Sequence, residues 1–160
     1  MTQTGTILSI NVSPTTGVQK DPVDEVELKV EWGIVGDAHA GLIDNPTYAH
    51  RQVSLLAQES IDTMIQKGLD VSAGSFAENI TTEGIDLVSL PVGTIITTKS
   101  GIVLEVSQIG KECHSPCAVY HAAGDCVMPR EGIFVRVLKG GTLKVGDVLD
   151  VVEYPEEATQ

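Results

Sequence analysis

Apolar and polar positions along the chain alternate in short runs rich in β-branched residues: GTILSINVS, EVELKVEW, RQVSLLA, FAENITT, GTIITTKS, IVLEVSQIG, GIFVRVL and VGDVLDVVE. Such runs, separated by turn-forming residues, predict strands. Lys99-Ser100-Gly101 reads as the turn of a hairpin between two of them, and Gly140-Gly141 predicts another turn after GIFVRVL. The stretch QESIDTMIQKG departs from this rhythm. Ile61, Met64 and Ile65 recur at helical spacing and Gly68 supplies a C-terminal stop, so one amphipathic helix is expected there. Many short strands joined in sequence must curl or pack face to face to hide their apolar sides. The expectation is a mainly β chain with minor α, a barrel-like single domain over residues 4–153 with one or two side helices, and a flexible acidic tail over 154–160.

Composition narrows the function. A chain of 160 residues that is 42% hydrophobic can bury one ordinary core. With 22 acidic residues against 10 basic ones the net charge is −12, a field that repels nucleic acid and anionic membranes. No run approaches the roughly 20 apolar residues of a membrane-spanning helix, and MTQTGTILSI has neither the basic nor the apolar region of an export signal. Three cysteines are too few for a disulfide scaffold, so reduced thiols and a cytoplasmic location are expected. A small anionic ligand stays compatible with the global charge, because a few arginines and backbone N–H groups can reverse the potential in a cleft. The arginines are Arg51, Arg130 and Arg136.

Two segments fit neither strand nor helix. One is GIVGDAHAGLIDNPTYAH, from Gly33 to His50; the other is GKECHSPCAVYHAAGDCVMPREG, residues 110–132, which holds every cysteine and two of the four histidines. Long irregular segments inside a compact domain are commonly functional. Three readings of the cysteines stand open. They can be inert buried thiols; Cys113, His114, Cys117, His121 and Cys126 can supply a tetrahedral zinc set, although paired knuckle spacing is missing; or one thiolate, with Lys111 and His114 flanking Cys113, can act as nucleophile or soft-metal ligand. Because both segments carry polar groups that a β core would not tolerate alone, they are expected to meet across one cleft.

The pieces GIVGDAHAG, HRQVSLLAQESID, FAENITTEGIDL, LPVGTIITT, VSQIGKECHSPCAVY and MPREGIFVRVLKGGTLKVGD, in this order over residues 33–152, resemble a stand-alone MOSC domain. This family is related to the C-terminal domain of molybdenum-cofactor sulfurase. The resemblance implies a MOSC-type β-barrel and a cysteine that carries sulfur as a persulfide or binds the molybdenum of a pterin cofactor. Many relatives have an arginine and a proline just before that cysteine; here Pro116-Cys117 keeps the Pro-Cys pair, which puts Cys117 first, also as molybdenum ligand, and Cys113 second. Under the same resemblance Asp37, His39, His50 and Arg51 would bind phosphate or pterin, Glu78 and Asn79 would line the cleft, and Lys111 and Arg130 would complete an anion site. The residues admit plainer roles too: Asp37 as a turn former, His39 and His50 as structural imidazoles, Glu78 and Asn79 as groups holding a bend, and Arg130 in a surface salt bridge.

The function expected is a molybdenum-cofactor-associated sulfur carrier or sulfurtransferase. The alternatives are a small molybdenum-cofactor oxidoreductase and a non-catalytic cofactor or metal carrier. The chain lacks the length for the pyridoxal-phosphate domain of fused relatives, so sulfur would come from a cysteine desulfurase or other donor and pass to a molybdoenzyme acceptor.

Overall fold

In the computed structural model, which describes residues 3–14, 19–38, 40–41, 49–76, 78–110 and 131–153, the alternating runs become the strands of a barrel. The strands are β1 (Thr4–Val12), β2 (Asp21–Val23), β3 (Glu25–Lys29), β4 (Gly33–Ile34), β5 (Val53–Ala57), β6 (Ile80–Glu83), β7 (Ile95–Thr97), β8 (Val103–Ile109), β9 (Ile133–Lys139), β10 (Gly141–Lys144) and β11 (Val148–Glu153). Pairing runs β11-β7-β8-β9-β5-β6-β1, and β1 pairs with β11 to close seven strands on themselves; β2 extends along β1. A closed sheet has no unpaired edge, and its inward positions need filling by side chains. Ile7, Ile10, Val53, Leu55, Ile80, Ile96, Leu104, Val106, Ile133, Val135, Leu149 and Val151, all fully buried, do so. Burial of each such side chain contributes about 1.5–3 kcal/mol.

Local departures from strict alternation have local causes. In β1 both Ile7 and Ile10 are buried although three residues apart, because the register against β6 shifts between Ile7 and Ser9. One extra residue at that point returns the apolar series to the inner face. All five residues of β5 are buried, since β9 and β6 flank it and α1 (Gln58–Gln66) covers its outer side. Leu56, Ile61, Met64, Val71, Phe76 and Phe134 form this second, outer cluster. The helix ends as expected: Gly68 at φ 95° bonds Ile65 O, and Leu69 N bonds Met64 O at 3.2 Å. Those two bonds make a Schellman stop, with Leu69 folded back beside Met64 in the same cluster. Residues Leu87–Ser89 add a short 3-10 turn.

The hairpin between β7 and β8 forms as expected, with Gly101 at φ 100°. The chain after β9 behaves differently. Gly140-Gly141 does not fold β10 back on β9; β10 pairs with β3, which pairs with β4, in a separate three-stranded sheet. Gly140 passes so close to β3 that a Cβ there would stand 2.2 Å from Leu28 O. The small sheet is anchored to the barrel by a bond from Glu31 N to Val137 O at 3.0 Å and by an Arg136–Glu31 ion pair. Hydrogen bonding to Glu31 raises the pKa of Arg136 further above its ordinary value.

Beside the small sheet, Lys20 Nζ lies 2.8 Å from Asp37 Oδ1 with both side chains at most 1% exposed. Asp37 Oδ1 also accepts from Ser13 N at 3.0 Å, so one carboxylate ties the end of β1, the approach to β2 and the loop after β4. Removing one partner of such a pair leaves a desolvated charge. Lys20→Met is expected to lower unfolding free energy by about 3–5 kcal/mol, measured as a drop in urea midpoint at unchanged slope. A midpoint shift below about 1 kcal/mol would show the pair to be energetically idle.

Candidate functional site

The cysteine segment leaves the barrel at the end of β8 and returns at the start of β9. Its stem is closed by a bond from Gly110 N to Gly132 O at 2.6 Å. Ser107 and Gln108 precede it at a register shift between Val106 and Gln108, where the apolar alternation of β8 breaks. That bulge allows two successive polar side chains to serve the stem. Gln108 Nε2 donates to Gly110 O at 2.7 Å, and Gln108 Oε1 faces Arg51 Nε at 3.0 Å and His50 Nε2 at 2.6 Å. Ser107 Oγ donates to the His50 carbonyl, fixing the backbone that enters β5. The Arg51 guanidinium sits over the Phe134 ring at 5.6 Å, a cation–π placement on the outer face of β9.

Residues 50–51 thus close the first irregular segment against the stem of the second. Arg51 and His50 meet Gln108 and Ser107 just ahead of the second segment, and the cleft expected between the two segments turns on residues outside those described. The cysteines Cys113 and Cys117, together with Lys111, Arg130 and His39, lie outside the described residues.

The other predicted residues are deeper in the fold. Asn79 Oδ1 accepts from Ser54 N at 3.0 Å and Ser54 Oγ at 3.1 Å, while its Nδ2 donates to Asn11 O at 3.1 Å, so it couples β5, β6 and β1. Glu78 Oε2 accepts from Gly74 N at 2.9 Å and Thr81 Oγ1 at 2.7 Å. Lys20 N in turn donates to Gly74 O at 2.9 Å, which links this network to the Lys20–Asp37 pair. Asp37, Glu78 and Asn79 are buried and held by protein groups, and they form a polar seam apart from the Arg51–His50–Gln108 cluster. Gln108, which joins that cluster, was not among the residues singled out in the sequence; its signal was the polar pair Ser107-Gln108 interrupting an alternating strand just before a glycine.

An open groove of about 480 Å³ is lined by Glu131, where the chain re-enters the barrel, and by Glu59, Asp86, Ile85 and Leu87. Its carboxylates make it unsuited to an anion. Among the described residues no group of three or more His, Cys, Asp or Glu side chains is arranged to hold a metal ion.

The MOSC domain family model matches residues 35–150, well over half of the chain. The chain belongs to the MOSC domain family. Solved structures similar to this MOSC domain include YuaD from Bacillus subtilis, at 22% identity and TM-score 0.80, covering 97% of this chain and 99% of that one. YiiM from Geobacillus stearothermophilus is similar at 23% identity and TM-score 0.69, covering 96% and 78% of the two chains. YiiM from Escherichia coli is similar at 18% identity and TM-score 0.63, covering 98% and 72%. None of the curated proteins matches the chain. MOSC membership associates the barrel with molybdenum-cofactor-related functions.

Within this MOSC barrel burial raises the pKa of Glu78, and bonds from Gly74 and Thr81 oppose the rise only in part. Its second oxygen, Oε1, has no hydrogen-bond partner among the described residues. A raised folded-state pKa favours the neutral acid, so the contribution of Glu78 to stability is full below the ordinary value of 4.5 and is lost as pH rises through the folded value. Glu78→Gln, a neutral isostere, is therefore expected to lose less stability than the native protein as pH is raised from about 4.5 towards neutrality, read from urea midpoints across that range. Parallel pH profiles would overturn the assignment.

Proposed function

We propose that this MOSC domain is a molybdenum-cofactor-associated sulfur carrier or sulfurtransferase in which a cysteine of the 110–132 segment holds sulfur as a persulfide. The observation that supports this reading is the clamp on the segment's stem, where Arg51 and His50 reach Gln108 and Gln108 reaches the Gly110 carbonyl. Positive charge and a hydrogen-bonding imidazole at that point favour a thiolate over a thiol. The thiolate attacks the outer sulfur of a donor persulfide. A new S–S bond forms, the donor's S–S bond breaks, and the donor cysteine leaves as a thiolate. The donor is a cysteine desulfurase or similar protein, and the acceptor is a molybdoenzyme or its cofactor.

The residues present fit a phosphorylated pterin carrying molybdenum. Arg51 offers a planar guanidinium suited to a phosphate, and Cys117 or Cys113 offers the soft ligand that molybdenum prefers. When bound, the molybdenum cofactor would supply the sulfur-accepting or redox-active centre. The same donor set underlies a second reading, a small oxidoreductase in which the thiolate is a molybdenum ligand and electrons come from a partner.

Cys117→Ser is expected to abolish persulfide loading from a sulfur donor and cofactor retention, Cys113→Ser to reduce both in part, and Cys126→Ser to leave both intact, as read by mass spectrometry and metal analysis on anaerobically purified protein. Arg51→Gln should weaken cofactor retention by roughly tenfold or more while leaving protein stability within about 1 kcal/mol. Full loading in Cys117→Ser with loss in Cys113→Ser would reverse the assignment, and an unchanged triple variant would remove the cysteine-centred reading altogether.

A further inference from the structure

The Gln108 amide is the one group that touches both partners of the stem clamp, and its orientation is set at both ends. Arg51 Nε–H can only donate, so the atom 3.0 Å from it must be the amide oxygen. The Gly110 carbonyl can only accept, so the atom 2.7 Å from it must be the amide nitrogen. A flipped amide would set N–H against N–H at one end and oxygen against oxygen at the other. The oxygen so fixed is also 2.6 Å from His50 Nε2 and cannot donate to it. His50 Nε2 therefore bears the proton, and in the neutral imidazole the lone pair lies on Nδ1. No described residue bonds Nδ1.

We propose that Gln108 is a positioning residue that locks His50 in the Nε2–H tautomer and thereby makes Nδ1 the atom at which the site accepts a proton. The inference rests on the sulfur-transfer reading for the source of that proton. On ionisation the thiol S–H bond breaks, its electron pair stays on sulfur, and the proton forms an N–H bond at Nδ1 to give an imidazolium whose Nε2–H stays on Gln108. Arg51 shares the same acceptor oxygen and restrains Gln108 from swinging towards solvent, so the tautomer lock and the anion-binding guanidinium are parts of one arrangement.

The test reads the tautomer directly. In full-length protein labelled with ¹⁵N, a long-range proton–nitrogen correlation spectrum recorded where the imidazole is neutral should show His50 solely as Nε2–H. Gln108→Leu should shift it to a mixture or to Nδ1–H, whereas Gln108→Glu, which keeps an acceptor oxygen, should retain Nε2–H; the latter also serves if the leucine variant does not fold. A native protein with Nδ1–H, or a Gln108→Leu protein with unchanged tautomer, would overturn the proposal. In the second arm inorganic polysulfide is the sulfur donor. Gln108→Leu and His50→Gln should each slow persulfide formation by roughly a hundredfold, and the double variant should be no slower than either. Multiplicative losses would show that Gln108 does not act through His50. If the native chain takes up no sulfur at all, the sulfur-carrier reading falls, and the tautomer spectrum still decides the role of Gln108.

Discussion

Closure of the barrel is the constraint from which the remaining structure follows. β1 pairs with β6 on one side and with β11 on the other, so the first and last strands complete each other's hydrogen bonding. Neither would be a satisfied strand without its distant partner. Closure commits the inward positions to branched aliphatic side chains and leaves no room inside for polar chemistry. Functional groups are consequently confined to the ends and outer face of the barrel, where the irregular segments enter and leave. The stem between β8 and β9 is such a place, and the bulge at Val106–Gln108 turns two polar side chains towards it.

The buried polar seam has a different duty. Lys20–Asp37, Gly74, Glu78, Asn79, Ser54 and Asn11 form a connected set that joins segments remote in sequence, with Glu78 tied in locally through Gly74. Such groups are costly to bury unpaired and so specify one arrangement of the chain when paired. The exception is Glu78 Oε1, without a partner among the described residues, in a carboxyl that burial drives towards its neutral form. The seam holds the loop after β4 and the approach to β6 in place, while the Arg51–His50–Gln108 cluster faces the cysteine stem. Separating the two duties lets the anion-compatible cluster occupy the outer face without a charge in the barrel core.

The stem clamp gathers the Arg51 guanidinium, the His50 imidazole and the Gly110 carbonyl around a single amide side chain, which holds them in register; these are the groups on which the proposed sulfur-carrier role would draw.

Much of this was written in the local pattern. The strands, the β7–β8 hairpin and the helix with its Gly68 stop were legible because period, turn chemistry and capping are properties of neighbouring residues. The ordered motifs over residues 33–152 likewise revealed the MOSC family. Tertiary structure alone decided matters that depend on distant partners. Gly140-Gly141 looked like a returning turn, but close approach to Leu28 sends β10 to β3. Asp37, Glu78 and Asn79 looked similar to Arg51 and His50 as polar residues in or beside irregular segments, yet burial places them in the seam, with Asp37 paired to Lys20 across 17 positions and Asn79 to Asn11 across 68. Gln108 showed only as a polar residue at a strand end; its contacts lie 57 and 58 positions away. A sequence window reports periodicity because backbone geometry repeats locally, whereas which polar groups meet is settled only when the barrel closes and brings remote strands together.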